Sequence, residues 1–236
     1  MIDESKTLFC ATCPTRRSAE WNAVDDVAIG LLNRAKAPRI YQRGELIFAQ
    51  GDECEGIFCV EQGTVALRRV DRDGNVALVN LIHAGLTLGL RSYFSETPRQ
   101  ASAEALETCS ICFIPSEAVE SLLNSNAGLC RSFLKHVALD LGAAHRALLQ
   151  KDALPVRNRT ALLLLYLHDH YNPTANGDSF RVPLTRQDMA ELIGTRPETV
   201  TRALHQMQEE GLLATSGRTV EIPSLAAMRR VAEEAD

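Results

Sequence analysis

Large apolar residues recur at alternating intervals of three and four between positions 134 and 148: Leu134, Val137, Leu141, Ala144 and Leu148. That spacing lays them along one stripe of a helix, as in the a and d positions of a heptad seam. It predicts a single long helix from about Gly128 to Lys151. One seam could dock onto its own domain, but a helix this long, joining two regions, is better read as a parallel dimer helix. A shorter amphipathic helix is predicted near the start. Within residues 18–35, Trp21, Val24, Ala28, Leu31 and Leu32 fall at helical spacing.

From Pro38 the period changes. Short β-rich runs follow one another, each ended by glycine at 44, 51, 63, 74, 85 and 89. Asp73-Gly74, between "VALRRV" and "VALVNLI", is a hairpin signal. Several short strands at this spacing predict a small jelly roll or barrel. The run "EALETCSICFIP", ending at Pro115, reads as one more strand.

Beyond the long helix, "KDALPVRNR" reads as a linker broken at Pro155. A helix, "RNRTALLLLYLHDHY", and a polar loop, "NPTANGDS", lead into "LTRQDMAELIGTRPETVTRALHQMQEEGLL". Thr185 with Asp188 and Thr195 with Glu198 both have the capping-box spacing that marks a helix start. Pro197 suits the first turn of the second helix, and Gly194 lies in the short turn between the two. This is the layout of a helix-turn-helix. On the second helix Val200, Leu204 and Met207 should face the core, and Glu198, Thr201, Arg202 and His205 share another face. Arginine can donate twice to a guanine edge, glutamate can accept from cytosine, and the threonine methyl suits thymine. Taken alone, the same face also reads as a solvated surface with a Glu198–Arg202 pair worth about 0.2–0.5 kcal/mol. "LLATSGRTVEIP" predicts a hairpin around Ser216-Gly217, a wing whose Arg218 can touch phosphate. The expected class is α+β, with a β-roll sensory part over 1–126, a dimerisation helix and hinge over 127–154, and a winged helix-turn-helix over 155–236.

Composition narrows the function. The chain of 236 residues is 45% hydrophobic and 23% charged, the balance of a water-soluble globular protein with material for a core. No run approaches the roughly 18 apolar residues of a membrane span. "MIDESKTLF" lacks the basic and apolar regions of a secretory signal, so a cytoplasmic protein without a membrane partner is expected. A net charge of −5 argues against coating nucleic acid non-specifically. Between Pro155 and Pro223 seven arginines face eight acids, so DNA affinity must come from a few positioned arginines and from dimerisation. The seven cysteines are an odd number, unsuited to a disulfide framework in a reducing compartment. Cys54, Cys59 and Cys130 sit among apolar residues and read as small buried hydrophobes. Cys10–Cys13 and Cys109–Cys112 form two C-x2-C pairs about a hundred residues apart, which suggests a four-ligand site. A zinc-stabilised protein is one alternative. A thiol oxidoreductase is a weaker one, because Cys10–Cys13 does not follow a strand of a βαβ unit; no enzyme is expected.

A short N-terminal helix, a glycine-punctuated β-roll, a long helix and a winged helix together resemble the Crp/Fnr family of bacterial transcription regulators. The stretch "RPETVTRAL" is similar to that family's recognition helix, which implies base contacts by Glu198, Thr201 and Arg202. Thr195, Arg196 and His205 around them, and Arg218 in the wing, are further candidate DNA contacts. The Crp branch carries arginine where this chain has Pro197, so the Fnr branch is expected, with a palindrome near TTGAT-N4-ATCAA, a homodimer, and RNA polymerase as partner. In the family's cyclic-nucleotide pocket, Leu90 replaces the ribose-binding glutamate and "QA" at 100–101 replaces an Arg-Ser pair, with Arg99 displaced by one; cAMP is therefore rejected. Fnr proteins hold an oxygen-labile [4Fe–4S] cluster. The resemblance places its ligands at Cys10 and Cys13, beside Pro14 and Arg16, and at Cys112. The third N-terminal cysteine of that motif would fall at Trp21, which cannot ligate iron. Cys109 is the expected fourth ligand, although three residues from Cys112 in a regular strand means the opposite face. Glu20 and Asp25 are carboxylate alternatives. The implied function is oxygen, NO or redox sensing coupled to DNA binding. Alternatives without a cluster sense through thiol oxidation, haem or a small organic ligand in the roll.

Overall fold

The computed structural model describes residues 10–13, 15, 20–171 and 179–233. The N-terminal stretch 1–9, Pro14 and Arg16, and the polar loop at 172–178 lie outside the described residues. The chain divides into two compact units, Met1–Leu141 and Gly142–Asp236.

The first unit opens with 3-10 turns at Cys10–Thr12 and Glu20–Ala23. Helix α1 (Asp26–Ala35) then starts where the Asp25 side chain accepts from the Ala28 amide at 2.8 Å. The helix predicted over 18–35 is therefore shorter, and Trp21 and Val24 precede it, both still buried. Six strands follow: β1 (Ala37–Tyr41), β2 (Leu46–Phe48), β3 (Gly56–Gln62), β4 (Thr64–Val70), β5 (Val76–His83) and β6 (Thr87–Leu88). Asp71 builds the β4–β5 hairpin by accepting from the Asp73 and Asn75 amides, each at 2.9 Å. Helix α2 (Leu90–Ser95), β7 (Ser102–Ala105), β8 (Cys109–Pro115) and α3 (Ser116–Ser125) lead into α4 (Ala127–Ala153). The run "EALETCSICFIP" is thus two strands. The chain turns at 106–108, pinned by the Leu106 amide on the Thr64 carbonyl at 2.9 Å, and crosses from one sheet to the other.

The sheets are antiparallel and four-stranded, in the orders β1-β8-β3-β6 and β2-β7-β4-β5. Side chains alternate across each strand, so the first sheet serves two cores. Phe58, Val60, Cys109 and Ile111 pack into the roll with Val65, Ile82, Ala103 and Ala105 of the second sheet. Ile57 and Ile114 point the other way, beneath Trp21, Val24, Ala28 and Leu32, α3, and Leu129 and Phe133 of α4. Each fully buried large side chain contributes about 1.5–3 kcal/mol. This outer core fixes the N-terminal segment and the start of α4 on the sheet.

In the second unit α5 (Val156–Tyr171) buries Leu163, Leu164 and Leu167. Around it lie β9 (Ser179–Arg181), α6 (Arg186–Ile193), α7 (Pro197–Glu209), β10 (Ala214–Ser216), β11 (Thr219–Glu221) and α8 (Leu225–Glu233). The strands form one sheet in the order β10-β11-β9, with the wing turn at Gly217. Among the described residues no helix is long and apolar enough to cross a membrane.

Candidate thiol site and nucleic-acid interface

Cys59 on β3 and Cys112 on β8 are direct cross-strand partners in the first sheet. Partners of this kind share a face and lie about 4.5–5.5 Å apart. The same row continues outward to Pro38 on β1 and Thr87 on β6. Over this row lies the turn that carries Cys10 and Cys13. The four cysteines line one cavity of about 40 Å³ together with Trp21, Val24, Leu32, Ile114, Thr15, Lys36 and Glu61. The turn is positioned from α1, where the Asn33 side chain accepts from the Cys10 amide at 2.7 Å. Cys13 Sγ lies 3.1 Å from Thr15 Oγ1 and 3.9 Å from a Glu61 carboxylate oxygen, whose other oxygen accepts from Ser110 at 2.7 Å.

Burial raises the two strand thiols of this site. It raises the Cys59 thiol well above its ordinary value, and negative charge on Cys112, Cys13, Glu20 or Cys10 would raise it further. Burial also pushes Cys112 up to about 11, opposed by Lys36 and reinforced by Glu61, Cys10 and Cys13. In the metal-free protein these are therefore protonated, poorly nucleophilic thiols. Among the described residues no three His, Cys, Asp or Glu side chains converge on a point suited to one metal ion. The thiols ring a space instead. Four soft donors around an apolar space match the four-thiolate ligation of an iron–sulfur cluster, whereas a single zinc needs sulfurs drawn to about 2.3 Å from one centre. The cavity as it stands has room for only a few waters. The Cys10–Thr12 turn, with Trp21, Val24 and Leu32, forms the part of the cavity wall that lies outside the sheets.

Two sequence expectations change here. Cys109 is turned into the roll and is fully buried; its thiol donates to the Thr64 carbonyl at 3.4 Å and the Glu107 carbonyl at 3.3 Å. Gly63, at φ +91°, is backed so closely by this thiol that an added Cβ would lie 2.6 Å from Sγ. The strand stays regular across the interval, so Cys109 and Cys112 face opposite sides. Cys59, expected to be a mere filler, is the thiol beside Cys112. The signal that could have found it is the alternation of "GIFCVEQ", which puts Cys59 on the opposite face from Phe58 and Val60. Of the carboxylate alternatives, Asp25 is engaged as the cap of α1. Glu20 is held by His136 of α4.

Three ties join residues 20–23 to α4 and to Asn126 just before it. Glu20 bonds His136, Trp21 packs edge-on against Phe133 with ring centroids 5.3 Å apart, and Asn126 Nδ2 donates to the Ala23 carbonyl at 3.1 Å. Trp21 also donates its indole N–H to Thr87 Oγ1 at 3.0 Å, in the row of Cys59. Along α4, Leu134, Leu141 and Leu148 are 60%, 57% and 64% exposed; Ala144 is exposed and Val137 half-buried. Inside the roll, Arg99 is buried, stacked 4.5 Å from the Phe48 ring centroid, and donates to the Gly56 carbonyl at 2.6 Å.

In the second unit α6 begins with the expected capping box, Thr185 and Asp188 each bonding the other's amide. It ends at Gly194 in the left-handed region. The second box does not form. Pro197 takes the first position of α7, which makes Arg196 the cap residue, without a side-chain cap bond. Thr195 belongs instead to the end of α6, its amide bonding the Ala190 carbonyl at 2.9 Å. Val200, Leu204 and Met207 of α7 are buried, and Glu198, Thr201, Arg202 and His205 lie on its outer side. Thr201 Oγ1 donates back to the Pro197 carbonyl at 2.9 Å, and His205 lies 3.5 Å from Glu209. Among the described residues the side chains of Glu198 and Arg202 have no partner, so both forks are open to an external ligand. Arg196 is exposed and Arg218 half-buried at the wing.

Residues 38–126 match the cyclic nucleotide-binding domain family, and residues 158–231 match the Crp-like helix-turn-helix domain family. A probable transcriptional activator of Rhizobium leguminosarum bv. viciae is 27% identical over 94% of this chain and 92% of its own. The transcriptional activator protein FnrA of Stutzerimonas stutzeri is 26% identical over 86% of this chain and 80% of its own. Among solved structures, FixK2 from Bradyrhizobium japonicum superposes with a TM-score of 0.75 at 22% identity, covering 85% of this chain and 99% of that one, a likeness of fold. These relatives are named as regulators, not as enzymes. The two matched domains, in this order around a long helix, make the chain a member of the Crp/Fnr family of DNA-binding transcription regulators.

Proposed function

We propose that this regulator is an Fnr-type sensor that reads oxygen, NO or redox state through an iron–sulfur cluster and binds a palindrome near TTGAT-N4-ATCAA as a homodimer. The observation that carries the reading is the meeting of Cys10 and Cys13 with Cys112, about a hundred residues further along the chain, in one largely apolar cavity. A bound cluster would supply the chemistry of sensing: reaction with oxidants and loss of the thiolate bonds. The protein's own residues do the rest. Cys10 and Cys13 hold the N-terminal turn over the sheet. Glu20, Trp21 and Ala23 pass its position to His136, Phe133 and Asn126 on and beside α4. Leu134, Val137, Leu141, Ala144 and Leu148 form the seam that a second copy covers. Glu198, Thr201 and Arg202 then read base edges, with Thr195, Arg196, His205 and Arg218 as flanking contacts, and RNA polymerase is the expected partner on DNA.

Sensing by oxidation of Cys59 or Cys112 alone is the weaker reading, because burial raises both thiols and disfavours their reactive thiolate forms. The test is anaerobic purification with iron, sulfide and visible absorption measured together. Colourless protein with background iron and sulfide overturns the cluster and leaves the DNA-binding assignment standing.

A further inference from the structure

The family pattern leaves this chain one cysteine short: position 21, where the motif would place its third N-terminal thiol, is Trp21. That indole is committed elsewhere, to the Thr87 hydroxyl and the Phe133 ring. We propose that Cys59 supplies the missing thiolate, so that the ligand set is Cys10, Cys13, Cys59 and Cys112. This inference rests on the cluster reading above.

Three observations carry it. Cys59 is the direct cross-strand partner of Cys112, the internal cysteine that the family motif identifies. Its neighbour in the same row is Thr87, the residue that anchors Trp21. Cys59 also lines the same cavity as Cys10, Cys13 and Cys112. Cys109 does not, because its thiol is packed against Gly63 on the other side of the sheet. The remaining cysteines, Cys54 and Cys130, do not line the cavity either. The consequence is a site with two ligands on paired strands and two on a turn outside the sheets. Two rigid thiolates hold the group to the sheet while the other two hold the Cys10–Cys13 turn to the group, so loss of either half removes one link between that turn and the sheet.

The test uses the full chain, purified anaerobically and reconstituted with ferrous iron and sulfide. Cys59→Ser, Cys59→Ala, Cys109→Ser and Cys130→Ser are compared with the unaltered protein. The readouts are iron and sulfide per chain, visible absorption, the electron paramagnetic resonance spectrum after reduction, and the melting temperature. The unaltered protein, Cys109→Ser and Cys130→Ser should each load about four irons and four sulfides per chain. Cys59→Ala should lose more than half of both, and Cys59→Ser should load less or give a shifted spectrum, as expected when oxygen replaces one sulfur. If Cys59→Ala fails to fold, Cys59→Ser decides, since it differs from the native residue by one atom. Full loading with an unchanged spectrum in the Cys59 variants overturns this assignment and leaves the cluster reading intact. Background iron in the unaltered protein overturns both.

Discussion

His136 of the long helix is clamped between two carboxylates: Nδ1 meets Glu20 from the thiol-bearing segment, and Nε2 lies 3.2 Å from Asp140 one turn along. Burial by itself would lower this imidazole, but the hydrogen bonds and charges of Asp140 and Glu20 prevail and raise it to about 9. The clamp is therefore a charged one at neutral pH, and it ties the N-terminal segment to α4.

A pH dependence follows from that shift. The folded value, about 9, lies above the ordinary 6.5, so the stabilisation is complete below about 6.5 and is lost as pH rises through 9. At about 1.36 kcal/mol per pH unit, the clamp contributes at most about 3 kcal/mol. Thermal melts between pH 6 and 10 should show a fall in stability over the upper part of that range, and His136→Gln should flatten it. An unchanged slope in His136→Gln would count against the clamp.

The exposed apolar row of α4 predicts the oligomer. Leu141→Glu should give monomers that no longer bind the palindrome, because a carboxylate would be buried without a partner at the seam. Sedimentation measures this directly, and a variant that stays dimeric places the interface elsewhere.

The recognition helix and the wing should behave differently. Losing a bidentate base contact costs about 1–3 kcal/mol of discrimination. Arg202→Ala should therefore flatten preference at one base pair of each half-site, whereas Arg218→Ala should weaken all sequences alike and reduce the salt dependence of binding. Selection from random DNA checks both, and enrichment of TGTGA half-sites would move the protein to the other branch of the family.

Trp21 predicts a stability effect separate from DNA reading. Trp21→Phe keeps the ring against Phe133 but removes the bond to Thr87, which should cost about 0.5–1.5 kcal/mol in denaturant unfolding. Trp21→Ala, which empties the site, should cost about 3–5 kcal/mol.

Local chemistry was legible along the chain wherever a pattern depends on near neighbours. The heptad spacing of Leu134, Leu141 and Leu148 specified α4, Asp73-Gly74 specified the β4–β5 hairpin, and Thr185 with Asp188 specified the start of α6. The exposed face of α7 followed from the burial of Val200, Leu204 and Met207 at helical spacing. The second capping box failed within the same short range, since Pro197 shifts the helix start by one residue and leaves Thr195 outside. Even the incompatibility of Cys109 with Cys112 was present in the period of a strand.

The thiol site was decided by tertiary structure. Cys59 and Cys112 are neighbours only because β3 pairs with β8, a strand distant in sequence, in the register that sets Cys59 opposite Cys112. A slip of one residue would turn Cys59 into the roll and bring Phe58 or Val60 to the outer face. Strand alternation specifies which residues share a face, but not which strand lies alongside or which face meets the N-terminal segment. Those choices come from packing: the outer core of Trp21, Val24, Leu32, Leu129 and Phe133 covers one side of the sheet, and the second sheet covers the other. Burial on both sides holds the register, the register pairs Cys59 with Cys112, and the packing of the N-terminal segment brings Cys10 and Cys13 over them.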